Sequence, residues 1–209
     1  AEFLFGKNGL DRYQESPSTA WLIHWKLAGE AKKTTTWSWL FNQTTNPILD
    51  KEYLLESLGS YAEKLNYKVS ATTLKRDLDC CLRSYVPSDG NESPEELSES
   101  VLGEIDILRQ VSRGKYEFIR GEKVNLHNGI FFYALLKFWE MPQYSQAETL
   151  SFNNIAHADN SPGRVFKLDE ISIADRLSQL EDLTGKKLIW TDSQGIRSVS
   201  RRGEINPIE

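Results

Sequence analysis

The residues best placed to do chemistry in this sequence are cationic. Thr72, Thr73, Lys75, Arg76, Asp79 and Arg83 fall on the outward side of a stretch whose inward stripe is Leu74, Leu78, Cys81, Leu82 and Tyr85. That stripe keeps the 3.6-residue helical period. Arg113 and Lys115 flank Gly114 at the tip of a predicted hairpin, and a second hairpin carries Lys186, Lys187, Arg197, Arg201 and Arg202. Arg164 and Lys167 lie between the two. Guanidinium and ammonium groups on a helix beside a hairpin suit phosphate oxygens. They supply sequence-independent affinity, and only contacts to base edges specify sequence. Thr72, Thr73, Lys75, Arg76, Arg83, Arg113, Lys115, Arg164, Lys167, Lys186, Lys187, Arg197, Arg201 and Arg202 are therefore the candidate DNA-contacting set. The competing reading is plain: Lys75, Asp79 and Arg83 are spaced i, i+4, i+8 and fit a solvated face with two weak exposed salt bridges.

Net charge is −5, which at first opposes a polyanionic partner. Its distribution does not. Asp89 to Asp106 holds seven acids and no Lys or Arg, whereas Arg109 to Lys123 and Lys186 to Arg202 each hold five basic residues. Patches rather than totals attract phosphates.

Other chemistry has weaker support. His24, His127 and His157 are far apart. His24 sits on a Trp-rich helix and reads as structural, and His127 reads as part of a helix start. His157 lies near Asp159 and could take an acid–base or metal role, although a surface loop histidine is the commoner case. No Ser-His-Asp signature, glycine-rich phosphate loop or HExxH helix occurs. Acid pairs such as Asp77 with Asp79, or Glu181 with Asp182, point apart on a helix and make poor metal sites. Cys80 and Cys81 are adjacent, a spacing that strains a disulfide, and no CxxC or Cys/His spacing suggests zinc. Two unpaired thiols favour a reducing, cytoplasmic compartment.

These groups need elements to position them. Ser16-Pro17 opens a helix in which Trp21, Leu22, Trp25 and Ala28 recur at helical spacing, ending at Gly29. A short helix over Thr36 to Phe41 follows, and Asn46-Pro47 breaks the chain. Asp50 caps a helix with Leu54, Leu55, Leu58, Tyr61, Ala62 and Leu65 inward; Asn66 ends it, and Tyr67 to Val69 reads as a short strand. Ser70 caps the cationic helix, Ala71 to about Tyr85, and Pro87 stops it. Ser88 to Ser100 reads as an acidic loop, then Ile107–Val111 and Lys115–Ile119 form a hairpin. Ile130 to Trp139 reads as a buried helix, Ser161-Pro162-Gly163 as a loop, and Asp169 to Leu183 as a helix ending at Gly185. Leu188–Thr191 and Ile196–Ser200 make the second hairpin.

Helix, turn, capped helix and basic hairpin is the order of a winged helix-turn-helix, whose second helix can enter the major groove. The expected class is mainly α with small β-hairpins, in two winged helix-turn-helix-like lobes. A helical lead-in spans 1–45, a winged-helix-like lobe 46–124, and a C-terminal helical lobe with the second basic hairpin 125–209. No apolar run approaches the ~20 residues of a membrane span, so no membrane partner is expected. The chain opens on Ala1-Glu-Phe-Leu-Phe and its one Met is Met141, which suggests a piece whose front is missing.

Three segments carry a family resemblance. They are Trp21-Leu-Ile-His-Trp25 with Thr35-Thr-Trp-Ser-Trp-Leu-Phe-Asn42, then Ser70 through Ser88, and then Ser161-Pro-Gly-Arg-Val-Phe-Lys-Leu-Asp169. Over almost the whole chain the sequence resembles a bacterial domain-of-unknown-function family similar to the SspB-type component of DNA phosphorothioation systems. The resemblance implies a further N-terminal winged-helix-like part. It also implies a DNA-engaging or DNA-nicking role, with magnesium if nicking is the activity, beside an ATPase, a phosphosulfate-reductase-like protein and a cysteine desulfurase. It transfers no catalytic residue. The alternatives are a non-catalytic adaptor that docks those proteins, or a winged-helix transcription regulator.

Overall fold

The computed structural model describes residues 11, 16–30, 35–86 and 101–202. The opening Ala1–Phe5 segment and the expected acidic loop over Ser88–Ser100 lie outside them. The chain divides into two units, Ala1–Ile119 and Arg120–Glu209.

The first unit runs α1 (Pro17–Ala28), α2 (Thr35–Gln43), β1 (Ile48–Asp50), α3 (Lys51–Lys64), α4 (Ala71–Arg83), a 3-10 turn at Gly103–Ile105, β2 (Leu108–Ser112) and β3 (Lys115–Phe118). Side-chain caps fix the starts. The Ser16 Oγ accepts from the Ser18 N–H, the Asp50 carboxylate from those of Glu52 and Tyr53, and the Ser70 Oγ from that of Thr73. Such caps satisfy helix N–H groups that have no partner in the first turn. Asn66, at φ 56°, turns the chain out of α3 in the left-handed conformation that Asn tolerates. The core gathers Trp21, Trp25, Trp39, Phe41, Leu54, Leu58, Leu78, Leu82 and Tyr85, all buried. His24 is buried among them, with its ring 4.6 Å from Phe41 and its Nδ1 2.8 Å from the Tyr85 hydroxyl. Burial raises the Tyr85 pKa, with a smaller contribution from Cys81.

The β2–β3 hairpin is not alone. β1 pairs antiparallel with β3, so the sheet order is β1-β3-β2. A third strand gives the ribbon the support that an isolated hairpin lacks in water. Residues 67–70, by contrast, form no strand, and Tyr67 and Val69 are exposed.

The second unit also sets a short strand among its helices and ends in two strands: α5 (Asn128–Trp139), β4 (Thr149–Ser151), α6 (Phe152–His157), α7 (Pro162–Val165), α8 (Glu170–Ser178), α9 (Leu180–Leu183), β5 (Leu188–Ser193) and β6 (Ile196–Arg201). Its sheet order is β4-β6-β5. In both units the short first strand ends on the cap of the next helix, Asp50 before α3 and Ser151 before α6. Helix α5 buries Phe131, Phe132, Leu135, Phe138 and Trp139. Two expectations change here. Ser161-Pro162-Gly163 is no loop: Ser161 caps α7, and Gly163 sits so close to the Ala156 carbonyl that an added Cβ would lie 2.6 Å from its oxygen. The helix expected over Asp169 to Leu183 breaks at Gln179 into α8 and α9.

Candidate nucleic-acid interface

Helix α4 buries Leu78, Cys81 and Leu82 and turns Thr72, Thr73, Lys75, Arg76, Cys80 and Arg83 outward. Leu74 is only half-buried at the edge of that stripe. Thr73 helps to cap the helix, with its Oγ1 3.0 Å from the Ser70 Oγ. Asp79 does not pair with Lys75. Its carboxylate takes the Lys51 ammonium at 2.6 Å, which ties the start of α3 to the outer edge of α4. The Arg83 Nε donates to the Asp79 carbonyl at 3.4 Å. Thr73, Arg76, Asp77, Cys80 and Arg83 line a shallow depression on this face.

The hairpin turn joins the same neighbourhood through Lys51, whose backbone N–H donates to the Gly114 carbonyl at 2.9 Å. Gly114 takes φ 73°, which lets the turn reverse tightly between Arg113 and Lys115. Lys51 thus bridges the hairpin tip and helix α4. Lys75, Arg76, Arg113 and Lys115 are exposed and make no ion pair among the described residues. Arg109, lower on the hairpin, is paired with Glu117.

The second unit treats its cations differently. Lys167 is 1 % exposed, with φ 54°, and its carbonyl accepts from the Gly121 N–H at 3.0 Å. Burial, then the Arg120 and Arg164 charges, push its ammonium well below the usual lysine range. Lys167 is therefore interior, not a surface contact as its position in the sequence suggested. Arg164 donates to the His157 carbonyl at 2.7 Å and pairs with Asp159 at 3.3 Å. Arg197 lies over the Phe152 ring at 3.7 Å, between Asp192 at 3.3 Å and Glu170 at 3.6 Å. Arg201 lies over Trp139 at 4.1 Å, and burial lowers its pKa, against the smaller opposing effect of Glu140. Lys186, Lys187 and Arg202 remain exposed.

Sequence reasoning missed Arg176. It is buried, and its guanidinium donates to the Leu126 carbonyl at 2.9 Å, the Lys123 carbonyl at 2.8 Å and the Asn128 side chain. Its Nε has no such partner among the described residues. The sequence signal was only an arginine on the α8 stripe beside Ile173 and Leu177, all three of which are buried.

His127 caps α5, with its Nδ1 accepting from the Gly129 N–H at 3.1 Å. His157 meets Glu170 at 3.0 Å rather than Asp159. Among the described residues, no group of three or more His, Cys, Asp or Glu side chains converges as a metal site would require. Cys81 is buried, and burial raises its thiol pKa, with a smaller contribution from Cys80. Cys80, beside the stripe, is exposed.

Both units thus pair a helical bundle with a three-stranded sheet, and in the first a cationic helix and hairpin tip are joined through one lysine. A family model described as "Protein of unknown function (DUF4007)" matches residues 1–207, and the chain belongs to that family. Two crystal structures of SspB share its fold. One, with magnesium ion bound, has a TM-score of 0.81 at 23% identity; the other has a TM-score of 0.82 at 24%. Each alignment covers 96% of this chain but 60% of SspB, so the chain spans less than two thirds of the length of those proteins. No curated protein matches it.

Proposed function

We propose that this chain is a DNA-binding component of a DNA phosphorothioation system, and that its first unit grips duplex DNA as a winged helix-turn-helix. In this reading α4 is the recognition helix and the β2–β3 hairpin is the wing. The observation that carries it is the Lys51 bridge, which holds the Gly114 turn and the Asp79 edge of α4 to one helix start. Around that bridge, Arg76, Arg113 and Lys115 face solvent. Exposed cations on a helix and an adjoining ribbon complement backbone phosphates, and α4 is the element whose outward side chains could reach base edges. The strand order β1-β3-β2 around two successive helices supports the same reading. Family membership and the SspB fold support the assignment to phosphorothioation chemistry, where the partners would be an ATPase, a phosphosulfate-reductase-like protein and a cysteine desulfurase.

The test is titration of a labelled duplex at several salt concentrations, with supercoiled plasmid incubated in parallel with and without magnesium. Salt-sensitive binding supports the DNA reading, and magnesium-dependent conversion to open circles adds nicking. Absence of salt-sensitive binding by the full-length protein would remove the DNA reading.

A further inference from the structure

A groove on the first unit runs between α3 and α4, lined by Tyr53, Gly59, Ala62, Tyr67, Val69 and Leu74. Its chemistry is unlike that of the cationic face. Tyr53, Tyr67 and Val69 are 55%, 52% and 40% exposed, although large apolar and aromatic groups gain by burial. Gly59 keeps the floor low: a Cβ there would only graze the Leu74 side chain, at 3.9 Å. Glu52, Glu56 and Glu63 line the same groove, and no Lys or Arg is among its lining residues. Spaced i, i+4 and i+11, these three carboxylates form one stripe along α3. Like charges at i, i+4 weaken a helix, and none of the three joins an ion pair among the described residues.

We propose that this groove docks a cationic amphipathic helix of a protein partner. The partner's apolar side chains would cover Tyr53, Tyr67 and Val69, and its Lys or Arg side chains would meet Glu52, Glu56 and Glu63. The occupant follows from charge complementarity. Carboxylates repel phosphates, so nucleic acid does not fit this face. A two-fold pair of copies joined here would set the acidic stripe against itself. The stripe from Glu52 to Glu63 rises ~16 Å, about three turns of a partner helix. Apolar anchors in a groove with a polar rim are a recurring way for helices to be recognised. This inference does not rest on the DNA reading, because it uses another face and other residues.

The probe is a fluorescein-labelled Leu/Lys amphipathic peptide, titrated with the full chain and followed by anisotropy. A Leu/Glu isomer and a scrambled Leu/Lys peptide serve as controls. The Leu/Lys peptide is expected to bind in preference to both. Glu56→Lys with Glu63→Lys should weaken it roughly tenfold, as two exposed attractions become repulsions. The same charge change at exposed Glu148 and Asp182 should have little effect. If the double lysine variant misfolds by circular dichroism, Glu56→Gln with Glu63→Gln is read instead, with a smaller loss expected. Equal binding of the scrambled peptide, or equal loss in the Glu148/Asp182 control, overturns the proposal. So does a wild-type dimer in sedimentation that the α3 variant dissociates, because the occupant would then be a second copy. Duplex binding by the α3 variants should be kept, which separates failure here from failure of the DNA reading.

Discussion

The two units share a sheet topology but differ in how several of their arginines are held. In the first, Arg76 and Arg113 stand in solvent near Lys51 and make no ion pair among the described residues. In the second, Arg164, Arg176, Arg197 and Arg201 each have a role inside the unit: a carbonyl and Asp159, two carbonyls and Asn128, the Phe152 face, the Trp139 face. A guanidinium on an aromatic face gains from the ring quadrupole and buries its stem. Moving it onto a phosphate would give up that contact. Clustered positive charge in a sequence therefore does not by itself say which cations are available; the packed neighbours decide.

The largest expected effects test whether each unit rests on its own core. Leu78→Ala in the first unit and Leu177→Ala in the second each truncate a buried leucine, and each should destabilise its unit by ~2–5 kcal/mol. Thermal melts followed by circular dichroism measure this. An unchanged melt for Leu78→Ala would mean that α4 is not seated on its stripe, and the placement of its outward face would fail with it. Next in size is the paired Arg113→Ala and Lys115→Ala change. Each lost phosphate contact should shrink the slope of log K against log salt by roughly 0.9. Affinity should fall about equally for unrelated sequences, because phosphates carry none. If the double variant keeps the wild-type slope, the first hairpin does not face DNA and the contrast between the units loses its meaning.

How much of this could be read from the sequence depends on the range of each interaction. Helices with a local cap and a 3.6-residue stripe were legible, with Ser16, Asp50 and Ser70 all falling where side-chain capping requires. So were both hairpins, whose turns hold Gly114 and Gly195 at positive φ. The third strand of each sheet was not. Ile48–Asp50 and Thr149–Ser151 are three residues long, too short to alternate visibly, and each runs directly into a helix cap. The break at Gln179 also carried no glycine or proline to mark it. At the candidate site, the outward set on α4 was legible from periodicity. The tethering of Arg197 by Phe152, or of Arg176 by Leu126 and Lys123, depends on partners distant in sequence, and no local pattern announces it.

A smaller effect tests the cap at the start of α8. Asp169 accepts the Ser172 N–H at 2.7 Å, and hydrogen bonds from Ser172 are the main reason its carboxyl lies below the usual range. The folded pKa is depressed, so the cap's stabilisation is fully present above the unfolded carboxyl's pKa, ~3.9. It is lost as pH falls through the lower folded value. Asp169→Ala should cost about 1 kcal/mol at neutral pH, typical of a lost N-cap. The cost should disappear toward strongly acidic pH. Chemical denaturation of both proteins across that range measures it, and a constant difference down to the acid limit would assign the loss to packing instead.

The smallest expected effect is on DNA binding by Arg197→Gln, and it is the sharpest test of the contrast between the units. By sequence, Arg197 belongs to a basic hairpin with the same standing as Arg113. By structure, its guanidinium is 3.7 Å from the Phe152 ring centre and lies within 3.6 Å of two carboxylates, on Asp192 and Glu170. Two anions already answer its charge, so a phosphate arriving there would meet local repulsion as well as attraction. Gln keeps much of the stem but not the charge. The salt slope of duplex binding should match wild type within error, and stability should fall by ~0.5–1 kcal/mol for the lost cation–π contact and partly exposed ion pairs. The two measurements must be read together. Lost stability with an unchanged slope means that Arg197 secures β6 against α6 and takes no part in DNA contact. A slope smaller by roughly 0.9 would instead count one released counterion at this position. The second hairpin, with Lys186, Lys187 and Arg202, would then join the interface, and the division of labour between the units would have to be redrawn.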